Sequence, residues 1–387
     1  MKSEKDNNFL TKKDFIILSK EKHTNKNISI SKINSFKIII IILIILIVFL
    51  NFFIKKNLNK NNRLNSLSQK IEQKFFNELK VILKDVPISI NEMMHLHTTF
   101  KIGGPAKFFI RPKTEKQIID AIKICNKYKI PYFILGNGSN LLVSDSGYDG
   151  LIIQIKEIYF SKLEAIKKNG NYYILSVGGG LLMKTLSIEA CLLSLTGLEN
   201  IIDIPGTVGA GIIMNASFYN KGLRETLKKV RVITPNGKIE EFNKSECRLY
   251  LRGSMLKDKK YIVIEATFEL YKGDQIKIQK TMTENTKERY NNQPMYFGSP
   301  GCFFVWDHQK YGSMFEKYKK VNLVSYKKGN IMIYTYNISF IVNLGKGTAS
   351  QVMEIVLYIE KIMKEKFNIK MRREVIIIGS INNLKYY

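Results

Sequence analysis

Residues Ile38 to Ile54 read IIIIILIILIVFLNFFI, a run of apolar side chains broken only by Asn51 and flanked by Lys37 on one side and Lys55 and Lys56 on the other. Such a run does not suit the surface of a water-soluble domain, and its length matches the shortest helices that span a bilayer. No small-residue cleavage site follows it, so the expectation is an uncleaved anchor rather than a signal peptide. Lys26, Lys32 and Lys37 are balanced by Lys55, Lys56, Lys60 and Arg63, and the charge rule leaves the orientation open. The anchor divides the chain. Before it, residues 1–37 are polar, rich in Lys and Asn, and expected to be disordered. After it, residues 55–85 are expected to form a linker that becomes an amphipathic helix around LSQKIEQKFFNELKVIL.

The remainder of the 387 residues is long enough for two or three compact units. A formal net charge of +28 would ordinarily suggest nucleic acid or an anionic surface as a partner. Here the lysines are spread along the whole chain, beside abundant Ile and Asn. No basic stretch is interleaved with aromatics, and no zinc-finger, helix-turn-helix or RNA-binding signature is present, so no nucleic-acid partner is expected. Cys125, Cys191, Cys247 and Cys302 lie far apart, with no C-x-x-C pair. That spacing argues against a disulfide framework and a zinc site, so no metal is expected. Cys125 and Cys191 fall at apolar positions of helical patterns and read as buried small hydrophobes.

Beyond residue 86 the pattern predicts a strand over Phe108–Arg111, a helix and a second strand over Tyr132–Leu135. Thr114 and Gln117 have capping-box spacing, and Ile118, Ile122 and Cys125 share one helix face. The second strand runs into Gly136-Asn137-Gly138-Ser139-Asn140, where glycines allow a tight turn that can present backbone N–H groups to an anion. A second glycine-rich stretch, LTGLENIIDIPGTVGAGIIMNASF, places Gly206, Gly209 and Gly211 after Pro205. Small residues at that density let a backbone approach something large and flat. Neither loop opens a Gly-x-Gly-x-x-Gly helix, which excludes a dinucleotide fold of that kind.

The segments HTTFKIGGPAKFFI, ILGNGSNLLVSD, GLENIIDIPGTVGAGIIMNASFYN, LRGSML, SPGCFF, FIVNLGKGTA and REVIIIG follow one another in an order that resembles the UDP-N-acetylenolpyruvoylglucosamine reductase (MurB) family, from about Pro87 to Gly379. The resemblance implies an α+β architecture. Residues 86–275 would form an FAD-binding domain of the PCMH (vanillyl-alcohol-oxidase-like) type with two subdomains. Residues 276–387 would form a C-terminal α+β substrate domain whose last strand returns to the first. It implies FAD and NADPH as cofactors, a UDP-sugar enolpyruvate as substrate, and a catalytic part facing the cytoplasm at the inner face of the membrane. The stretch between LRGSML and SPGCFF is short, as in the type II branch.

Residue by residue, the resemblance assigns FAD contacts to Gly103, Gly104, Gly136, Gly138, Ser139, Asn140, Pro205, Gly206, Thr207, Gly209 and Ala210. It assigns catalysis to Arg252, Cys302 and Glu374, and substrate binding to Arg252 and Ser254. Arg252 would hold the substrate carboxylate in two-point contact, and Glu374 would assist the enolate-like species. Cys302, in GSPGCFFVW, occupies the slot where the family carries a proton-donating serine. A thiol, with an ordinary pKa near about 8.5, is a competent donor; the alternative is a small core residue beside Phe303 and Phe304. For Glu374 the alternative is a surface pair with Arg372 or Arg373.

The substrate half departs from the family more than the flavin half. Val305 and Trp306 replace a lysine and an asparagine, Tyr334 a serine, Asn337 a histidine, and Asp203 a glycine. Two readings follow: an active membrane-tethered reductase, or a divergent tethered flavin-binding module with little reductase activity. A covalently flavinylated oxidase would need a histidine ligand, and only His95 and His97 lie near the flavin loops.

Overall fold

The computed structural model describes residues 28–156, 158–169, 172–219, 221–381 and 384–386, and the chain divides into two units, Met1–Ile71 and Glu72–Tyr387. The tail expected to be disordered lies outside the described residues up to residue 27. From there the structure differs from the expectation: helix α1 is continuous over Ile28–Ile82, taking in the end of the tail, the apolar run and the linker. No glycine or proline interrupts those residues, so nothing local stops the helix. The side chains of residues 38–45, 47 and 48 lie outside the described ones. Among the described residues no helix is long and apolar enough to cross a membrane.

In the second unit, Phe75, Leu79 and Leu83 are buried in a core built on a four-stranded sheet. Its strands are β1 (Ile88–Met93), β2 (Pro105–Ile110), β3 (Tyr132–Leu135) and β5 (Tyr148–Gln154), in the order β1-β2-β5-β3; β4 (Leu141–Val143) lies outside this sheet. β1 is antiparallel to β2, whereas β2 and β3 run parallel to β5. Helix α2 (Glu115–Tyr128) makes the crossover. Thr114 and Gln117 form the capping box expected of them, and Ile118, Ile122 and Cys125 are fully buried. Burying an isoleucine contributes about 1.5–3 kcal/mol, so this face alone commits the helix to the sheet. Phe108 and Ile110 point to that core, while Phe109 points to the opposite one with Phe133, Leu135, Val143 and Ile378, as strand alternation requires.

A second, antiparallel sheet centres on Ile262–Lys272, with Leu227–Ile233 on one side and Tyr172–Gly178 on the other. Helices α3 (Met183–Leu192) and α4 (Val208–Ile213) pack on it. The long helix α6 (Gln275–Asn292) follows, after the short α5 (Met255–Asp258). The C-terminal part combines a three-stranded sheet with helix α7 (Ala349–Phe367), whose first amides donate to the Asp145 carboxylate at 2.7 and 2.9 Å. The chain then returns: Ile376–Ile381 lies parallel to β4, and this pairing brings the C-terminal segment beside the Gly136–Asn140 loop.

Candidate active site

The two glycine loops meet each other. Asn137 Nδ2 donates to the Pro205 carbonyl at 3.0 Å, and a Cβ on Gly136 would stand 2.7 Å from Thr207 Oγ1. Gly138 has φ +64°, and a Cβ there would lie 2.0 Å from the His97 carbonyl oxygen, so only glycine fits. At several of the glycines expected to contact FAD the protein packs on itself where a side chain would stand. A side chain on Gly209 would meet the Val263 carbonyl, one on Gly206 the end of Met183, one on Gly103 the Val143 side chain, and one on Gly104 the Asp145 carbonyl. These glycines, and the buried Thr207, which caps α4 by accepting from the Ala210 amide, fix the course of the loop backbone. Gly136, Ser139, Asn140 and Ala210 are half-buried and Pro205 is exposed, so these retain a surface to offer.

A cavity of about 780 Å³ lies among the elements that flank the loops, and no residue of either loop lines it. It is lined by Tyr132 and Ile134 of β3, which leads into Gly136, by Ile213 at the end of α4, and by Leu256, Lys257 and Tyr261. A Cβ on Gly301 would meet only the Ser139 carbonyl, at 4.0 Å, so the Ser139 loop and the Cys302 loop lie next to each other with room for a side chain at Gly301. An apolar cleft of this size with lysines at its wall suits a large, flat, anionic group, and the residues present fit a flavin dinucleotide.

Arg252 and Glu374 come from segments 122 positions apart and meet, Nε to Oε1, at 3.2 Å. Arg252 sits in a tight turn, closed by the reciprocal Tyr250 and Gly253 backbone bonds, with φ +58°. A non-glycine residue in that region is strained, and such strain persists only where surroundings enforce it. Here Asn215 Nδ2 donates to the Tyr250 carbonyl at 2.9 Å and Arg372 to the Leu251 carbonyl at 3.2 Å. Glu374 is fixed through its backbone: its amide donates to the Phe303 carbonyl at 2.9 Å, and its carbonyl accepts from Asn140 Nδ2 at 3.2 Å. The expected alternative, a surface pair with its neighbours, is not what forms, since Arg373 makes a two-point contact with Glu360 at 2.6 and 2.8 Å.

Cys302 is half-buried, one residue before the buried Phe303, and bridges Phe340. Burial, with the nearby Glu374 charge, pushes its thiol up to about 11 against the pull of Arg252 and Arg289. Burial likewise raises the Glu374 carboxyl above its ordinary range, although Arg252, Lys257 and Arg372 oppose it. Ser254, expected to bind substrate, lies two residues after Arg252. It is fully buried, its hydroxyl donates to the Ile213 carbonyl at 2.8 Å and accepts from the Lys257 amide at 3.2 Å, and it caps α5. With its proton given to Ile213 and one lone pair taken by the Lys257 amide, it anchors the Arg252 turn.

Arg289, on α6, is a buried cation that motif reading missed. It is 4% exposed, its Nη1 donates to Gln293 Oε1 at 2.9 Å, and its guanidinium lies 4.5 Å from the centre of the Phe218 ring. Its Nε is buried with no hydrogen-bond partner. Burial lowers its proton affinity to about 10, and the charges that counter this are those of Asp203 and Cys302. A signal did exist: Ile278, Met282 and Arg289 share helical spacing, which puts an arginine on the core face of an otherwise polar helix. At the substituted positions, Trp306 donates to the Gly312 carbonyl and Asn337 to the Asn292 carbonyl, both structural contacts. His97 is engaged by Glu92 at 2.7 Å.

Residues 106–243 match the family model for an FAD binding domain, and residues 293–378 match that for the C-terminal domain of UDP-N-acetylenolpyruvoylglucosamine reductase. The chain is 35% identical over 298 residues to the UDP-N-acetylenolpyruvoylglucosamine reductase of Clostridium botulinum (strain Alaska E43 / Type E3), covering 77% of this chain and 95% of that protein. It is 31% identical over 310 residues to that of Alkaliphilus metalliredigens (strain QYMF), covering 80% and 99%. Among solved structures it is similar to UDP-N-acetylenolpyruvylglucosamine reductase (MurB) from Thermus caldophilus, with TM-score 0.62 and 26% identity over 76% of this chain and 98% of that one. An FAD-binding domain joined to the reductase-specific C-terminal domain, with close sequence relatives over nearly their full length, leaves one conclusion: the chain belongs to the UDP-N-acetylenolpyruvoylglucosamine reductase family.

Proposed function

We propose that this chain reduces UDP-N-acetylglucosamine enolpyruvate to UDP-N-acetylmuramate, a step of peptidoglycan synthesis, with FAD bound in the cleft and NADPH as reductant. The observation that carries this reading is the meeting of Arg252 and Glu374 at 3.2 Å beside Cys302, three residues drawn from separate parts of the chain. Bound FAD supplies the hydride relay between NADPH and substrate. The chain's own residues do the rest. Gly136, Ser139 and Asn140 line the cofactor, with Ala210 and Pro205 facing them. The Arg252 guanidinium holds the substrate carboxylate and stabilises the negative charge that develops next to it. Glu374, whose burial favours the protonated form, shares its proton with that charge. Cys302 delivers the proton to carbon; its thiol, pushed up to about 11, keeps that proton throughout the neutral range.

The tether belongs to the same proposal. Ile38–Ile54 lies within α1, and Leu46, Phe49, Leu50, Phe52, Phe53 and Ile54 are all exposed along it. A helix carrying such a row of apolar side chains suits a lipid surface, with the reductase held near the inner face of the membrane. The activity is tested by following NADPH oxidation in the purified, FAD-loaded full chain. Oxidation that depends on the UDP-sugar enolpyruvate supports the reading. Oxidation that the substrate does not accelerate overturns it in favour of a flavin-binding module.

A further inference from the structure

The loop that leads into Pro205 and Gly206 carries Asp203 in the left-handed backbone region, with φ +57°, at the position where the family has a glycine. Aspartate bears that conformation better than most residues, but at a cost that glycine escapes, and such strain persists only where the surroundings enforce it. Here they do. The Asp203 side chain is 7% exposed and both its oxygens are occupied: Oδ1 pairs with Lys184 Nζ of α3 at 2.6 Å, and Oδ2 accepts from Thr286 Oγ1 of α6 at 2.6 Å. Burial works against the charge, but the Lys184 and Thr286 hydrogen bonds outweigh it and hold the carboxyl below its ordinary range. A second tie to α6 runs in parallel, from Asn285 Nδ2 to the Glu199 carbonyl at 3.2 Å. Beyond Asp203 the backbone hangs on the start of α3: the Met183 amide donates to the Gly206 carbonyl at 3.0 Å, and the Val208 amide to the Leu181 carbonyl at 2.8 Å. The exposed Pro205, whose carbonyl accepts from Asn137 of the first glycine loop at 3.0 Å, lies between the Asp203 and Gly206 attachments.

We propose that Asp203 is a positioning residue for the cofactor: by binding Lys184 and Thr286 at once it fixes where the Pro205 turn stands against the Asn137 loop, and so slows the release of FAD. The inference rests on the reading that Pro205 and Ala210 face the cofactor, and it names what holds them there. Glycine at position 203 would be free of strain, but it would leave the turn without its bonds to Lys184 and to α6. The aspartate thus accepts an unfavourable backbone in return for a turn attached on both sides of Pro205.

The test follows FAD leaving the FAD-loaded full chain after dilution, by ultrafiltration and flavin absorbance, while circular dichroism gives the folded fraction of the same samples. Asp203→Gly is expected to release FAD about tenfold faster or more, the loss of two hydrogen bonds to a buried charge. Thr286→Val removes only the α6 arm and is expected to quicken release about threefold, whereas Thr286→Ser keeps the hydroxyl and should stay within about twofold of the parent. Because Thr286 acts through Asp203, adding Thr286→Val to Asp203→Gly should quicken release no more than about twofold further. A bond that serves the fold alone would change the folded fraction and leave release from the folded chain as it was. Release from Asp203→Gly within about twofold of the parent therefore overturns the proposal, and so does a double variant in which the two effects multiply. Should Asp203→Gly not fold, the Thr286 pair decides: faster release in Thr286→Val alone supports the positioning, and any other pattern overturns it. No turnover enters the measurement, so a chain without reductase activity gives the same readout, and failure of the positioning is told apart from failure of the function.

Discussion

The glycine-loop half and the substrate half of the site are built by different means. In the first, the backbone is closely packed: a Cβ on Gly138 would collide with the His97 carbonyl and one on Gly136 with the Thr207 side chain. In the second, long side chains meet from the turn before α5 and the returning C-terminal segment, and their placement depends on capping and anchoring bonds around them. The comparison teaches that the two halves tolerate change differently. A backbone-to-backbone fit admits glycine or nothing. A convergence of side chains lets Trp306 and Asn337 take on structural contacts while Arg252 and Glu374 meet at 3.2 Å.

That contrast is open to attack from its strongest side first. Gly138→Ala is expected to be the most damaging single change, because it combines a strained φ with a 2.0 Å collision against backbone. A loss of more than about 3 kcal/mol is expected, read as a collapse in the flavin-to-protein ratio and in Tm. A variant that retains flavin would erase the distinction between the halves. Glu374→Gln comes next: the fold and flavin content should be unchanged, while kcat falls by about a hundredfold or more, measured in steady state. Loss of flavin in that variant would mean that the substrate half is as structural as the other. The smallest effect is expected for Asn337→Ala, which frees the Asn292 carbonyl at the end of α6. It should cost about 1 kcal/mol in denaturant unfolding, with kcat changed less than about threefold.

Much of the first half was legible because local rules and tertiary structure agree there. The Thr114 and Gln117 box, the apolar face of Ile118, Ile122 and Cys125, and the strand at Tyr132–Leu135 are all short-range patterns, and each appears as read. The first strand begins earlier, at Pro105, because pairing with both β1 and β5 extends it beyond its apolar core. The purpose of individual glycines was not legible. Sequence shows that a side chain is absent, not whether ligand or protein fills the space, and at Gly209 the Val263 carbonyl fills it. The Ser254 cap was hidden for a related reason, since nothing local shows that its hydroxyl accepts from the Lys257 amide at the start of α5. Arg289 and the left-handed Arg252 turn depend on contacts between distant segments, which no local pattern carries.

The central claim is that Cys302 donates the proton. It is tested most directly by anaerobic absorbance spectroscopy of the FAD-loaded full chain, first with NADPH and then with the UDP-sugar enolpyruvate, for the parent chain, Cys302→Ala and Cys302→Ser. The account predicts equal bleaching by NADPH in all three and recovery with substrate slowed about a hundredfold or more in Cys302→Ala alone. In the parent the recovery rate should fall as pH rises toward about 11, where the thiol loses the proton it must give, and the serine variant should lack that limb. Equal recovery in the parent and in Cys302→Ala would contradict it.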